Sequence, residues 1–185
     1  MKYSLKNTNS FRKLMGLGIF FLLVGFQLGA QTVLSFNLKK TNDLKGEKTS
    51  ADTWQFLTTG KDPYVFIAPL KSSLPEKQTV LSFEYFCPKG LDHLTIYFKP
   101  ALDENFCKTI TSVSLSEGWV LFSVDLSEYL EDWGKEGDDL RLDFGGKPDV
   151  NLQIRNIVFR EMTSREKELN ADKEAKKKQE ALMQQ

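Results

Sequence analysis

Apolar and polar residues alternate with period two along most of residues 32–160. That period puts successive side chains on opposite faces of an extended chain. The pattern is clearest over 79–100. Leu81, Phe83, Tyr85 and Cys87 share one phase against Ser82, Glu84 and Phe86; Leu94, Ile96 and Phe98 then share one phase against His93, Thr95 and Tyr97. Pro88, Lys89 and Gly90 stand between the runs, so the stretch predicts two strands paired as a β-hairpin. Further strands are predicted over 32–38, 64–70, 119–126, 139–144 and 150–160, with a weak edge strand over 110–113, while 54–57 reads as a short apolar run. Residues 39–50, polar and interrupted by Gly46, read as a loop, and 127–133 as one helical turn capped by Ser127. In the last strand the apolar phase slips between Ile154 and Ile157, which predicts a bulge near Arg155 and Asn156. No long amphipathic helix separates the strands. The fold class is therefore all-β, an antiparallel β-sandwich or jelly roll rather than an α/β fold.

The two ends follow other patterns. Lys2, Lys6, Arg12 and Lys13 precede an uncharged apolar stretch over 14–28, and small Ala30 follows it. Residues 1–30 thus read as an export signal, with the mature chain beginning at Gln31 in the periplasm or outside the cell. A retained anchor is the alternative, but the stretch falls short of the roughly 20 residues a spanning helix needs, so no membrane association is expected after cleavage. The sandwich is expected over 31–161. From 162 to 185 the chain turns into strong helix formers, opened by Thr163 with Glu166 three residues on, the spacing of a capping box. Leu169, Ala171, Ala175 and Leu182 keep no heptad. A polar helix leaving a finished domain reads as a tail or as a connector to a downstream domain or protein partner.

Charge and cysteine content narrow the partners. Removing the signal takes four of 25 basic residues and none of 25 acidic ones, which leaves a net charge of −4. Phosphate backbones call for clustered Lys and Arg, so nucleic acid is not an expected partner. A bridge between Cys87 and Cys107 would close a loop of about 20 residues and add about 3 kcal/mol. Two separate thiols, with Cys87 in the core phase, account equally well for the spacing.

No reaction announces itself. His93 is the single histidine, and a serine elbow, HExxH and a glycine-rich phosphate loop are all missing from the sequence. Trp54, Tyr64, Trp119 and Trp133 lie in or beside predicted loops, while Arg141, Asp143, Gln153 and Arg155 occupy polar phases of two strands. Ring faces beside planar hydrogen-bonding groups are what recognition of a hydroxylated sugar ring requires. Tyr97 with His93 forms a second patch. Each tryptophan has an ordinary explanation as core, since large aromatics are mostly buried. Glu84 and Asp143, facing one another across a sheet, would be the carboxylate pair of a hydrolase. No cofactor is expected; a structural calcium ion near Asp103 and Glu104, or near Glu136, Asp138 and Asp139, is the one metal reading.

The series WQFLTTGKDPYVF, LSFEYFCPKGLDHLTIYF, SEGWVLFSVDL and LRLDFGGKPDVNLQIRNIVFRE resembles the galactose-binding-like β-sandwich modules at the front of secreted bacterial glycan-degrading proteins. IRNIVFRE, which is similar to their last strand, is the most specific piece, and the resemblance covers residues 32–161. It implies a jelly-roll sandwich and a sugar-binding role. The function expected is that of a non-catalytic carbohydrate-binding module in an exported glycan-utilisation protein, with a glycan as partner. A structural or protein-docking sandwich is the alternative, and a small glycoside hydrolase the third reading.

Overall fold

The structure, a computed structural model, describes residues 30–98, 107–110, 117–129 and 133–183. Its strands are β1 Gln31–Val33, β2 Phe36–Asn42, β3 Leu44–Lys48, β4 Thr53–Thr58, β5 Tyr64–Ile67, β6 Val80–Phe86, β7 Leu94–Tyr97, β8 Cys107–Ile110, β9 Val120–Asp125, β10 Arg141–Asp143 and β11 Asn151–Arg160; helix α1, Ser164–Met183, follows. One sheet has the order β3-β4-β11-β6-β9, with β1 also on β11; the other has the order β2-β5-β10-β7-β8. Every pairing is antiparallel. Within this arrangement the order 4-11-6-9 in one sheet and 5-10-7-8 in the other is the strand order of a jelly roll. Inward phases of both sheets close over one core. Phe56, Ile67, Leu81, Ile96, Leu142, Ile154 and Phe159 are all buried there.

The hairpin expected over 79–100 does not form. β6 pairs with β11 and β9, whereas β7 pairs with β10 and β8 in the other sheet. Alternation fixed the faces of these two strands but not their partners. The turn between them carries the chain across the sandwich: Cys87 and Leu91 are buried on either side of it, Gly90 has φ 66°, and Gly90 N–H donates to Cys87 O at 3.0 Å.

Residues 39–50 are also corrected, from loop to the end of β2 and the whole of β3. These are sheet-edge strands, polar because most of their side chains face water; Leu44 alone in β3 is buried. A corner at Asp43 (φ 45°) passes the chain between sheets. At Gly46 a β-carbon would lie 2.9 Å from the Phe56 ring, so the edge strand seals the core only with glycine there. The bulge is present as expected: β11 slips register against β6 between Arg155 and Val158, with Asn156 at φ 54°. Before the slip Arg155 faces out and Ile154 in; after it Ile157 and Phe159 face in and Arg160 out. Of the turn expected over 127–133, the described residues Ser127–Tyr129 form a 3-10 turn whose Ser127 N–H donates to Asp125 Oδ1 at 3.1 Å.

Helix α1 is exposed along its length but anchored at its base. Thr163 N–H donates to Glu166 Oε2 at 2.8 Å and Glu166 N–H donates to Thr163 Oγ1 at 3.2 Å, a reciprocal capping box. Arg160, at the end of β11, donates from Nη1 and Nη2 to the two Glu166 oxygens at 2.8 Å each and from Nη2 to Ser123 Oγ of β9 at 2.9 Å. These bonds hold the Glu166 carboxyl down to about 2, with Arg160 the main cause. Among the described residues no helix is long and apolar enough to cross a membrane.

Candidate functional site

The outer face of the β2-β5-β10-β7-β8 sheet gathers the polar and aromatic residues that the inward phase leaves over. Strand β10 is three residues long, so Arg141 and Asp143 share this face while Leu142 enters the core. Register sets their neighbours: Arg141 stands between Phe66 of β5 and Tyr97 of β7, and Asp143 between Tyr64 and Thr95. Asn37 and Asn42 extend the two rows onto β2. Four strands thus supply one patch from residues up to 106 positions apart in the chain.

At its centre Arg141 Nε donates to Asp143 Oδ1 at 2.6 Å and Nη2 donates to Oδ2, a planar two-point pairing. The guanidinium carbon lies 4.2 Å from the Tyr64 ring centroid and 4.6 Å from that of Tyr97, so the cation is held between two rings. Arg141 is only 7% exposed and Asp143 8%, although both sit on an outer sheet face. Burial raises the Asp143 carboxyl above its ordinary value, and the Arg141 partner partly offsets that. Phe66 meets Tyr64 edge-on at 6.0 Å and carries Lys40 Nζ at 5.3 Å from its centroid; Lys40 pairs with Asp139 at 3.2 Å. His93 Nδ1 stands 3.5 Å from Asp92 Oδ1, at the turn that leads into β7.

Among the described residues Arg141 Nη1 makes no hydrogen bond to protein, and Thr79 Oγ1 is the one sealed, unpartnered side-chain atom. The Nη1 donors therefore remain within reach of a ligand. Fixed donors and acceptors between half-buried rings suit a planar face with a hydroxylated rim.

The other sequence candidates fall elsewhere. Trp54 is buried: its ring meets Phe36 edge-on at 5.2 Å inside the core. Trp133 is buried too, packed on Phe159 at 5.1 Å, with Nε1–H donating to Asp139 O at 3.0 Å. Both are buried, Trp54 from the inward phase of β4, so neither belongs to this face. Trp119 and Arg155 lie together on the outer face of the opposite sheet, the guanidinium 4.2 Å from the indole centroid. There Arg155 donates from Nε and Nη2 to Glu84 at 2.9 and 3.0 Å, and Asn156 Nδ2 adds a third bond to that carboxylate at 2.8 Å. Glu84 is thereby held below its ordinary value, Arg155 being the first cause. The proposed carboxylate pair fails on this geometry: Glu84 is on the outer face of one sheet and Asp143 on that of the other, with the core between them.

Tyr97 is the residue that sequence reasoning placed with the wrong neighbours. Its phase was readable, but its proximity to Arg141 depends on β7 pairing with β10. Asp138 Oδ2 accepts from Gly134 and Lys135 N–H at 3.0 and 2.9 Å, and among the described residues no group of three acidic, His or Cys side chains is placed to hold a metal ion. Asp103 and Glu104 lie outside the described residues. Cys87 is buried, which pushes its thiol up; Cys107 stands opposite Tyr97 in the β7–β8 ladder, and its side chain lies outside the description.

No protein-family model matches the sequence, and no curated protein does. Among solved structures the chain is similar to a variant of a family 29 carbohydrate-binding module complexed with cellulohexaose (12% identity, TM-score 0.48, 71% of this chain and 90% of that one). It is also similar to a family 29 carbohydrate-binding module from Piromyces equi (10% identity, TM-score 0.47, 74% and 93%). A variant complexed with mannohexaose is a further likeness (13% identity, TM-score 0.46, 71% and 91%). At these scores the likeness carries no argument about what this chain binds; the β-sandwich rests on its own strand pairings.

Proposed function

We propose that the chain is a non-catalytic carbohydrate-binding module, and that the outer face of the β2-β5-β10-β7-β8 sheet is where it holds a glycan. The observation that carries this reading is the Arg141–Asp143 pair fixed between Tyr64 and Tyr97, with Nη1 donors left over. Tyr64 and Tyr97 supply apolar ring surface to the C–H face of a sugar, and Arg141 supplies donors to its hydroxyls. Because each oxygen of Asp143 already holds a guanidinium N–H, the pair is positioned before the ligand arrives, and little side-chain freedom is lost on binding. The basic, apolar and small-residue order of residues 1–30 supports an exported setting, in which the capped base of α1 suits a connector to a further domain or protein.

The test is a glycan-array screen, followed by calorimetry of each hit against Tyr64→Ala, Tyr97→Ala and Arg141→Ala. The reading expects saturable binding that falls at least about tenfold in each folded variant, the loss typical of a central contact. Silence across the array, or binding unchanged in all three, overturns it.

A further inference from the structure

Trp119, Arg155 and the surface around them are unused by the face described above. Trp119 (36% exposed), Val120 (38%), Leu121 (66%) and Val33 (73%) are the exposed large apolar residues of the sandwich among those described; the last three lie in strands of the other sheet and Trp119 directly precedes β9. Val33 and Leu121 line a cleft of about 520 Å³; Trp119 and Val120 lie outside its lining. It opens where the β11 bulge separates the strands that flank it: β4 pairs with β11 up to Arg155 and β1 takes over from Val158. Leu34, Trp54, Phe83, Ile157 and Val158 make its floor, and Lys48, Asp52, Glu84 and Asn156 its polar wall. That volume and composition, apolar below with few convergent polar groups, is the ordinary make-up of a small-ligand site.

The polar wall is partly spent and partly not. Glu84 is saturated by Arg155 and Asn156. Among the described residues, Arg155 Nη1, Asn156 Oδ1, Asp52 Oδ2 and Lys48 Nζ make no hydrogen bond, though Lys48 Nζ rests 5.1 Å from the Trp54 ring centroid. Both donors and acceptors are therefore free at one rim. Trp119, the residue just before β9, and Leu121 share one phase, two residues and about 7 Å apart, so a ring stacked on the indole is followed along the chain by the cleft mouth.

We infer that this surface is a second glycan site, with one sugar on the exposed face of Trp119 beside Arg155 and the next units entering the cleft past Leu121, so that the module holds a chain on each of its two faces. The inference rests on the carbohydrate-binding reading above. Its ligand class is an uncharged oligosaccharide: the free rim groups Lys48 and Asp52 are of opposite sign, and Arg155 is neutralised by Glu84.

Tryptophan emission separates the two sites, because the face around Arg141 has tyrosines and the cleft side has Trp119. The full chain is titrated with cellohexaose, xylohexaose, mannohexaose and laminarihexaose, reading tryptophan emission and calorimetric stoichiometry. The expected result for at least one of them is a stoichiometry of two and a saturable emission change. Trp119→Ala and Arg155→Gln, the latter keeping the indole in place, each reduce the stoichiometry to one and remove the emission change, while Tyr97→Ala leaves the emission change intact. A stoichiometry of one, an emission change that persists in Trp119→Ala, or no binding of any probe overturns the second site. Two sites surviving in Tyr97→Ala, Tyr64→Ala and Arg141→Ala alike would instead overturn the assignment of the first face.

Discussion

Asp143 has a partner for each carboxylate oxygen, and both belong to Arg141. Removing one half of such a buried pair leaves an uncompensated charge, whereas replacing both with apolar groups of similar volume can be neutral. Asp143→Ala is thus expected to lose about 3–5 kcal/mol in urea unfolding, and Arg141→Met combined with Asp143→Leu to recover most of it while abolishing glycan binding. A double variant that stays as unstable as the single one would show that the face depends on the charges for its fold. The pH response follows from the raised carboxyl. The native state holds the Asp143 proton more tightly than the unfolded chain, so this group's contribution to stability falls as pH rises above the unfolded value of 3.8. Asp143→Asn should flatten that part of the stability profile. Arg141 and Asp143 were legible in the sequence as two residues of one phase, two apart. That Trp54 and Trp133 are buried was not legible, because turn residues beside an aromatic do not say which way it points.

At the scale of elements, α1 shows how little of a helix needs to touch its domain. Its capping box and the Arg160–Glu166 pairing sit in one turn. Glu166 is depressed from 4.5 to about 2, so its contribution is present above the unfolded value and is lost as pH falls towards about 2. Since the pair is partly exposed, solvent screening reduces that contribution to about 1 kcal/mol. Hydrogen exchange at 164–168 should therefore accelerate over this pH window, and Glu166→Gln should show the faster rate already at neutral pH. If the two rates agree at neutral pH, the helix is held by something other than its cap. The bulge makes a comparable prediction: Asn156 sits at φ 54°, so Asn156→Val should cost at least about 1–2 kcal/mol from the left-handed backbone alone. The bulge and the capping box were both readable, one as a phase slip and the other as a Thr–Glu spacing, because each is a local signal. The β2–β3 edge was not, since solvent-facing strands carry no alternation of apolar side chains. Pairing of β6 and β7 was misread for the opposite reason, a clear alternation that says nothing about partners.

For the whole molecule, the jelly-roll order decides what can act together. It puts Glu84 and Asp143 back to back and brings Tyr64, Tyr97 and Arg141, distant in sequence, onto one surface. That surface presents no unpaired cation among its central residues, since Lys40 is held by Asp139 and Arg141 by Asp143. Affinity for a neutral glycan should then change less than about twofold between about 0.01 M and 1 M salt, where screening lengths fall from about 30 to 3 Å. A steep salt dependence would mean that the ligand carries charge.

Holding Arg141 between two rings moves the ordering of the contact from the encounter into the folding of the domain. Such a face acts as a template, and its backbone should shift by less than about 1 Å when a ligand lands. The corollary is kinetic. Association should be similar for every glycan chain that fits, and discrimination among sugars should reside in how long each one stays.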